Sequence, residues 1–192
     1  MKAPSGRPRD PRIDRAVLAA TAALVTKVGY ADLTVAAIAA QAGTTKPAIY
    51  RRWPSKAHLV HEAVFPSGEP TSLPQTGSVA DDVREMLRRT AAVWSEPAAR
   101  AALPGLMGEI AADPTLHAAL LERFAEGVWG ALHARLVEAT ARGEVRAGVD
   151  PAALIETIAG ATLMALLIRA GDHLDDDWFD HMADLLTKGI RP

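Results

Sequence analysis

Cysteine and asparagine are both absent from the 192 residues. Without thiols the chain has no disulfide framework and no cysteine-ligated zinc or iron–sulfur site. Without asparagine it has no N-glycosylation acceptor. Aromatic residues are scarce at 5%, lysine is scarce at 5 against 16 arginines, and strand signals are nearly missing. Long hydrophobic runs are few. Ala16–Val25 follows Lys2, Arg7, Arg9 and Arg12 much as the apolar part of a secretory signal follows its basic part. But Asp10 and Asp14 interrupt the basic residues, and half of the run is alanine. Ile13, Val17, Ala20, Leu24 and Val28 keep a helical period, so an amphipathic helix of a soluble protein is expected. Ala152–Ile168 carries one charge, Glu156, and only touches the lower length limit of a membrane span. Its many Ala, Gly and Thr residues suggest a helix buried on most sides. No membrane segment and a cytoplasmic location are expected.

What is present is an ordinary globular composition, 49% hydrophobic and 23% charged, on a length that suits one domain or one with a small appendage. The net charge of −2 hides an asymmetry. Residues 1–65 carry ten Lys/Arg against four Asp/Glu, a net of +6, and residues 66–192 carry eleven against nineteen, a net of −8. A basic first third on an acidic body suggests that the first part meets a polyanion and the second does not.

Helix punctuation is frequent. Asp10–Pro11 opens a helix that Gly29 stops. Thr34 caps a short helix, Val35–Ala42, ending at Gly43. Thr44 or Thr45 caps the next, with Pro47 in its first turn, running to about Trp53. Pro54–Ser55 starts another over Lys56–Phe65. Prolines and glycines then mark residues 67–77 as a linker. Beyond it a long helix runs from Ser78 through Trp94, and Pro97 and Pro104–Gly105 divide the next stretch into two short pieces. Asp113–Pro114 opens a helix closed at Arg142–Gly143. Asp150–Pro151 opens the apolar helix, and a last one runs from Asp175 to about Gly189. The expected fold class is all-α, in two helical parts, 1–66 with the basic excess and 78–192 beyond the linker.

Thr34–Trp53 has helix-turn-helix spacing: a short helix, a turn containing Gly43, and a second short helix. The second helix of such a unit enters the major groove, its first residues near base edges. Thr44, Thr45 and Lys46 occupy that start, with Tyr50 and Arg51 one turn on. The helix starts near Thr34 and Lys56 offer N–H groups to phosphate oxygens.

These residues carry a family resemblance. Val35-Ala-Ala-Ile-Ala-Ala-Gln-Ala-Gly43, then Thr44-Thr-Lys-Pro-Ala-Ile-Tyr50, then Arg51-Arg-Trp-Pro-Ser-Lys56 resemble the DNA-binding domain of the TetR family of bacterial repressors. Gly29-Tyr-Ala-Asp-Leu-Thr34 fits that family's connection between its first two helices. Two positions depart from the pattern. Pro47 stands where Gly, Ala or Ser is commoner, and Trp53 where Phe or His is usual. Pro47 stiffens the helix start and removes one N–H.

The resemblance implies that 1–66 is an arm and helix-turn-helix DNA-binding domain and 78–192 a helical effector-binding and dimerisation domain, with a homodimer built by the last two helices and repression relieved by a small molecule. A two-fold pair of recognition helices would read a roughly palindromic double-stranded DNA operator. The resemblance also implies that Thr34, Tyr50 and Lys56 hold phosphates while Thr44, Thr45, Lys46, Pro47 and Arg51 face the groove. Ala36, Ile38, Ala39, Ala42, Ile49 and Leu59 would then be the packing core of the DNA-binding domain. Trp94, Leu103, Met107, Leu120, Phe124 and Trp129 are candidates to line an effector pocket, which suits an apolar or amphipathic molecule. Glu109, Asp113 and His117 are candidate polar handles beside it. Gly160, Leu163, Leu167, Met182 and Leu185 are candidate dimer contacts, with Trp178, Leu186 and Ile190 in the same helical register. Arg7, Arg9 and Arg12 suit either a minor-groove arm or a solvated tail.

Enzyme chemistry finds little purchase, and neither an enzyme nor a cofactor is expected. No His has Glu three residues before it, as a helical di-iron site needs, and His61-Glu62 lacks the second His of a zinc protease motif. There is no Gly-x-Ser-x-Gly elbow, and Gly143…Gly148 lacks the Lys-Ser/Thr of a phosphate loop. Asp172, Asp175, Asp176, Asp177 and Asp180, with His173 and His181, fit a solvated loop and acids favourable at a helix start better than a metal site. A helical adaptor without DNA binding is the remaining alternative, and it would not need Tyr50, Arg51 and Lys56 where they stand.

Overall fold

A computed structural model describes residues 11–65, 76–118, 130–169 and 174–190, and every regular element among them is helical. They are α1 (Pro11–Asp32), α2 (Val35–Gln41), α3 (Lys46–Tyr50), α4 (Lys56–Val64), α5 (Val79–Ser95), α6 (Pro97–Ala112), α7 (Gly130–Ala141), α8 (Pro151–Ile168) and α9 (Asp176–Ile190). The helix expected from Pro114 to Arg142 is seen as residues 114–118 and as α7, and its middle lies outside the described residues. The chain clusters into two compact units, Met1–Ser67 with Pro97–Leu116, and Gly68–Glu96 with His117–Pro192.

Side-chain caps start the helices where the sequence places them. Thr34, Thr45, Ser55, Ser78 and Asp150 each accept a hydrogen bond from a backbone N–H of the following turn. Such a cap contributes about 1 kcal/mol by satisfying one of the N–H groups that a helix start leaves unpaired. Gly29, at φ 76°, breaks α1 near its end. That left-handed region favours glycine because a Cβ there crowds the backbone.

In the first unit α1 packs on α2, α4 and α6, α4 on α6, and α2 on α3. The buried stripe of α1 is Val17, Ala20, Thr21 and Val25, whereas Ile13 and Val28, expected on it, are exposed. Ile38, Ile49, Leu59, Val60 and Leu106 are essentially excluded from solvent. Each such side chain stabilises the fold by about 1.5–3 kcal/mol. Ala36 is exposed, contrary to expectation. The inward stripe of α2 is Val35, Ile38 and Ala39, so Ala36 falls between its members at helical spacing.

Nor does Pro104 divide its segment, because α6 runs unbroken from Pro97 to Ala112 with Pro104 inside it. Pro104 is exposed while Ala102, Leu103 and Leu106 around it are buried. The ring therefore faces water, which can meet the carbonyl one turn back, while packing on α1 and α4 offsets the cost of a helical proline.

The second unit is built on α5, whose Val79, Val83, Leu87 and Ala91 repeat every fourth residue and are all buried. They share a core with Leu132, Leu136, Leu154, Ile158, Trp178 and Phe179. Asp82 is a buried acid in this wall, 4% exposed. It accepts from Arg135 Nε at 2.7 Å and from the Thr76 N–H and hydroxyl, each at 2.8 Å. That network ties Thr76, three residues before α5, to α7 through one carboxylate. On the outer face Arg84 pairs with Asp176 at 2.9 Å and with Asp180.

By length and composition α8 is apolar enough to cross a bilayer. It is not buried on most sides within one chain. Only Leu154, Ile158 and Thr162 are buried, because α5 covers one stripe and leaves Met164, Leu167 and Ile168 exposed.

Candidate nucleic-acid interface

The link between α2 and α3 is set by backbone hydrogen bonds. Gly43, at φ 63°, donates to Ala40 O at 3.3 Å, and Thr44 N donates to Ala39 O at 2.9 Å. This paired closure of a helix C-terminus needs a left-handed residue at the position Gly43 holds. Thr45 then caps α3 by accepting from Ala48 N.

With five residues, α3 is far too short to be a stable helix alone. Ile49, 1% exposed, is its inward anchor. Arg52 holds its far end, donating to Ala48 O at 3.2 Å and pairing with Asp14 of α1. Trp53 is buried, and its indole N–H donates to Glu62 of α4 at 2.8 Å. Arg52, Trp53 and Asp14 escape sequence reasoning as positioning residues. The Arg51-Arg52 pair advertises charge, but the partner of Arg52 lies 38 positions upstream.

Thr45, Lys46, Pro47 and Arg51 are exposed, Tyr50 is 50% exposed, and Thr44 is half-buried. Thr34 is exposed at the start of α2, where its oxygen accepts from Ala37 N at 3.2 Å. A hydroxyl that accepts from a backbone N–H can still donate its own proton to a phosphate oxygen. Between Thr45 and Arg51 the chain thus exposes a hydroxyl, two cations and an aromatic ring.

Lys56 is half-buried and tethered. Its ammonium donates to Tyr30 O at 2.9 Å and lies 4.2 Å from the centre of the Tyr30 ring. Burial first, and then the nearby Glu109 carboxylate, push the Tyr30 phenol well above its usual range, so it stays neutral. Next to Lys56, Ser55 caps α4 and its hydroxyl lies 2.9 Å from His58 Nδ1.

The other candidates are dispersed. Trp94 is half-buried on α5, Leu103 is buried on α6 among the first unit's helices, and Met107 is 41% exposed. Leu120, Phe124 and Trp129 lie outside the described residues, as do Arg7, Arg9, Asp172 and His173. Asp113 accepts from Thr115 and Leu116, which lowers its pKa, chiefly through the Thr115 hydroxyl. His117 is exposed. Among the described residues no group of three His, Asp or Glu stands ready for a metal. Asp176 and Asp180 pair with Arg84, and Asp175 caps α9 through Trp178 N.

Of the dimer candidates, Gly160, Leu167 and Leu185 are exposed and Leu163 and Met182 half-buried. Trp178 and Ile190 are buried in the chain's own core, at 6% and 9% exposure, and are not open to a partner.

Two family models match the chain: "Bacterial regulatory proteins, tetR family" over residues 17–63, and "Tetracyclin repressor-like, C-terminal domain" over residues 73–186. An uncharacterized HTH-type transcriptional regulator of Mycobacterium tuberculosis is 30% identical over 168 residues, 84% of this chain and 82% of that protein. The DNA-binding transcriptional repressor TetR of Mycobacteroides abscessus is 31% identical over 187 residues, 92% of this chain and 93% of that one. Among solved structures, a TetR family transcription regulator is similar with a TM-score of 0.66 and 27% identity, over 94% of this chain and all of the other. NalD of Pseudomonas aeruginosa, the secondary repressor of the MexAB-OprM multidrug efflux pump, shares the fold at a TM-score of 0.62 and 21% identity, over 95% of this chain and 98% of its own.

Proposed function

Since the chain belongs to the TetR family of helix-turn-helix transcriptional regulators, we propose that it is a repressor, released from its operator when a small molecule binds. The observation that carries this reading is the exposed row Thr45, Lys46, Pro47, Tyr50 and Arg51 on a helix seated from behind by Ile49, Arg52 and Asp14. Lys46 and Arg51 would meet base edges, and Thr34, Tyr50 and Lys56 would hold phosphates on either side. The domain division follows the same roles: 1–66 for DNA, 67–77 as linker, 78–192 for effector and dimer.

The exposed apolar residues of α8 and α9 support a homodimer. Gly160 leaves room for a second helix, and Leu163, Leu167, Met182 and Leu185 supply apolar area that a soluble chain does not normally leave open. A two-fold pair of recognition helices reads a roughly palindromic site. An apolar or amphipathic effector, met by side chains such as Trp94, would act by binding the free and DNA-bound states with different affinity. A cytoplasmic location follows from this role.

Selection of bound duplexes from random-sequence DNA tests the reading. It should enrich an inverted repeat. Lys46→Ala and Arg51→Ala should then change which positions of the repeat matter, whereas Lys56→Glu should weaken binding to all sequences alike. Recovery of no preferred sequence would remove the repressor reading.

A further inference from the structure

Lys56 is a cation whose position is built from other elements. Its ammonium is fixed on one side by a main-chain carbonyl and on another by a ring face, and both belong to Tyr30. Tyr30 is itself held by its back. It is 7% exposed, and its ring lies against the backbone of α6 at Gly105. A Cβ on Gly105 would stand 2.3 Å from Tyr30 Cδ1, 2.7 Å from Cγ and 2.9 Å from Cβ. Carbon atoms pack at about 3.5–4.0 Å, so even the smallest side chain would drive Tyr30 away by more than about 1 Å. The obstacle is a buried ring, which has no flexible end to swing aside. Gly105 carries no positive φ, so a left-handed backbone does not explain glycine there. Alanine is the better helix former in general. Close approach is the remaining physical reason for the missing side chain.

We propose that Gly105 is a positioning residue for DNA binding: its bare backbone seats Tyr30 against α6, and the seated Tyr30 holds the Lys56 ammonium where a phosphate is met. This rests on the reading of Lys56 as a phosphate-holding cation. The chain of contact is short and lies within the first unit, from α6 through one aromatic residue to the first residue of α4. A lysine side chain is long and loses its fixed place readily. Moving Tyr30 by about 1 Å carries the 2.9 Å bond past hydrogen-bonding distance and lifts the ring from under the ammonium. Lys56 then keeps its charge and loses its place. The Tyr30 phenol takes no part in this tether, which uses the ring face and the carbonyl.

The test measures affinity of the full-length protein for a mixed-sequence duplex across a salt series. Lys56→Ala should weaken binding about tenfold and reduce the slope of log affinity against log salt by about 0.9, the share of one phosphate. Gly105→Ala should weaken binding in the same way, approaching that loss, and the Gly105→Ala/Lys56→Ala double variant should bind no more weakly than Lys56→Ala alone. The Lys56 methylene protons next to the ammonium should be shielded by the ring in the wild type and return to ordinary shifts in Gly105→Ala. Tyr30→Phe should bind as the wild type does. If Gly105→Ala fails to fold, Tyr30→Leu removes the ring without adding an atom to α6, and it should reproduce the loss and the non-additivity with Lys56→Ala.

Gly105→Ala, or Tyr30→Leu in its place, binding with wild-type affinity and slope overturns the proposal. So do losses that add to that of Lys56→Ala, and so does a Lys56→Ala protein that binds normally. Wild-type protein with no salt-dependent DNA binding would instead overturn the functional reading, and this inference with it.

Discussion

Truncating Ile49 to alanine removes the inward anchor of α3 without touching any of the exposed residues proposed to face DNA. Ile49 is 1% exposed and is the buried residue of that helix. Three carbon atoms leave a packed interior, which costs about 2.4 kcal/mol at about 0.8 per methylene. A residual cavity brings the total to about 3 kcal/mol, within the usual range for such truncations. A domain of this kind has about 5–15 kcal/mol in hand, so the first unit remains folded while the five-residue helix loosens on it. Apparent affinity falls by the fraction of molecules whose helix is seated. The expected result is binding weakened between about tenfold and a hundredfold, since the Thr45 cap and the Arg52 tether keep part of the population seated. Fluorescence anisotropy with a selected duplex measures the affinity, and amide exchange at Ile49 to Arg52 reports the seating directly. Ile49→Val, at about 0.5–1.5 kcal/mol, should fall between wild type and Ile49→Ala in both assays. Unchanged affinity together with faster exchange would refute the link between seating and binding. Unchanged exchange would show that Ile49 is not the anchor.

Other outcomes follow from the same contacts. Asp82→Ala leaves the half-buried Arg135 without its counter-charge and should cost the second unit about 3 kcal/mol, read from urea unfolding, with a loss under about 1 kcal/mol counting against the network. Glu85 has its pKa lowered from 4.5 to about 2, mainly by its hydrogen bond from Arg88 with Arg89 adding to it. A lowered carboxylate pKa contributes stability that is fully present above the unfolded value near 4.5 and is lost as pH falls towards 2. The acid limb of α5 unfolding should therefore flatten in Glu85→Gln, and an unaltered limb would show that the ion pair is not retained in solution. Placing Glu at both Gly160 and Leu185 should yield monomers by sedimentation, with DNA affinity collapsing although 1–66 is untouched. A double variant that stays dimeric would move the interface off α8 and α9.

Local signals were legible in the chain and long-range ones were not. Thr34, Thr45, Ser55, Ser78 and Asp150 cap helices because a short side-chain oxygen reaches the next turn, and that needs only neighbours. Gly43 is readable for the same reason. Ala36 failed by one helical step, since alanine gives too little hydrophobic contrast to fix the phase of a seven-residue helix. Pro104 misled because its penalty is local while the packing that overrides it comes from α1 and α4. Trp178 and Ile190 share a periodic face with Leu185, but which members of that face meet the chain's own α5 is decided in three dimensions. Exposed Thr45, Lys46, Pro47, Tyr50 and Arg51 were visible as a row. The contact that holds the row, Asp14 to Arg52, and the one that holds Lys56 beside it, from Tyr30, join residues 38 and 26 positions apart, and no spacing rule reaches that far.

Sequence-selective DNA binding is measured by titrating the wild-type protein onto a selected inverted-repeat duplex and a scrambled one over a series of salt concentrations. Log affinity should fall linearly with log salt for both duplexes, because phosphate contacts release counterions whatever the sequence. The repeat should be preferred by at least about a thousandfold at physiological salt, with two protomers bound on it. Equal affinity for both duplexes, or binding that does not weaken with salt, would show that the chain is not a sequence-reading DNA-binding protein.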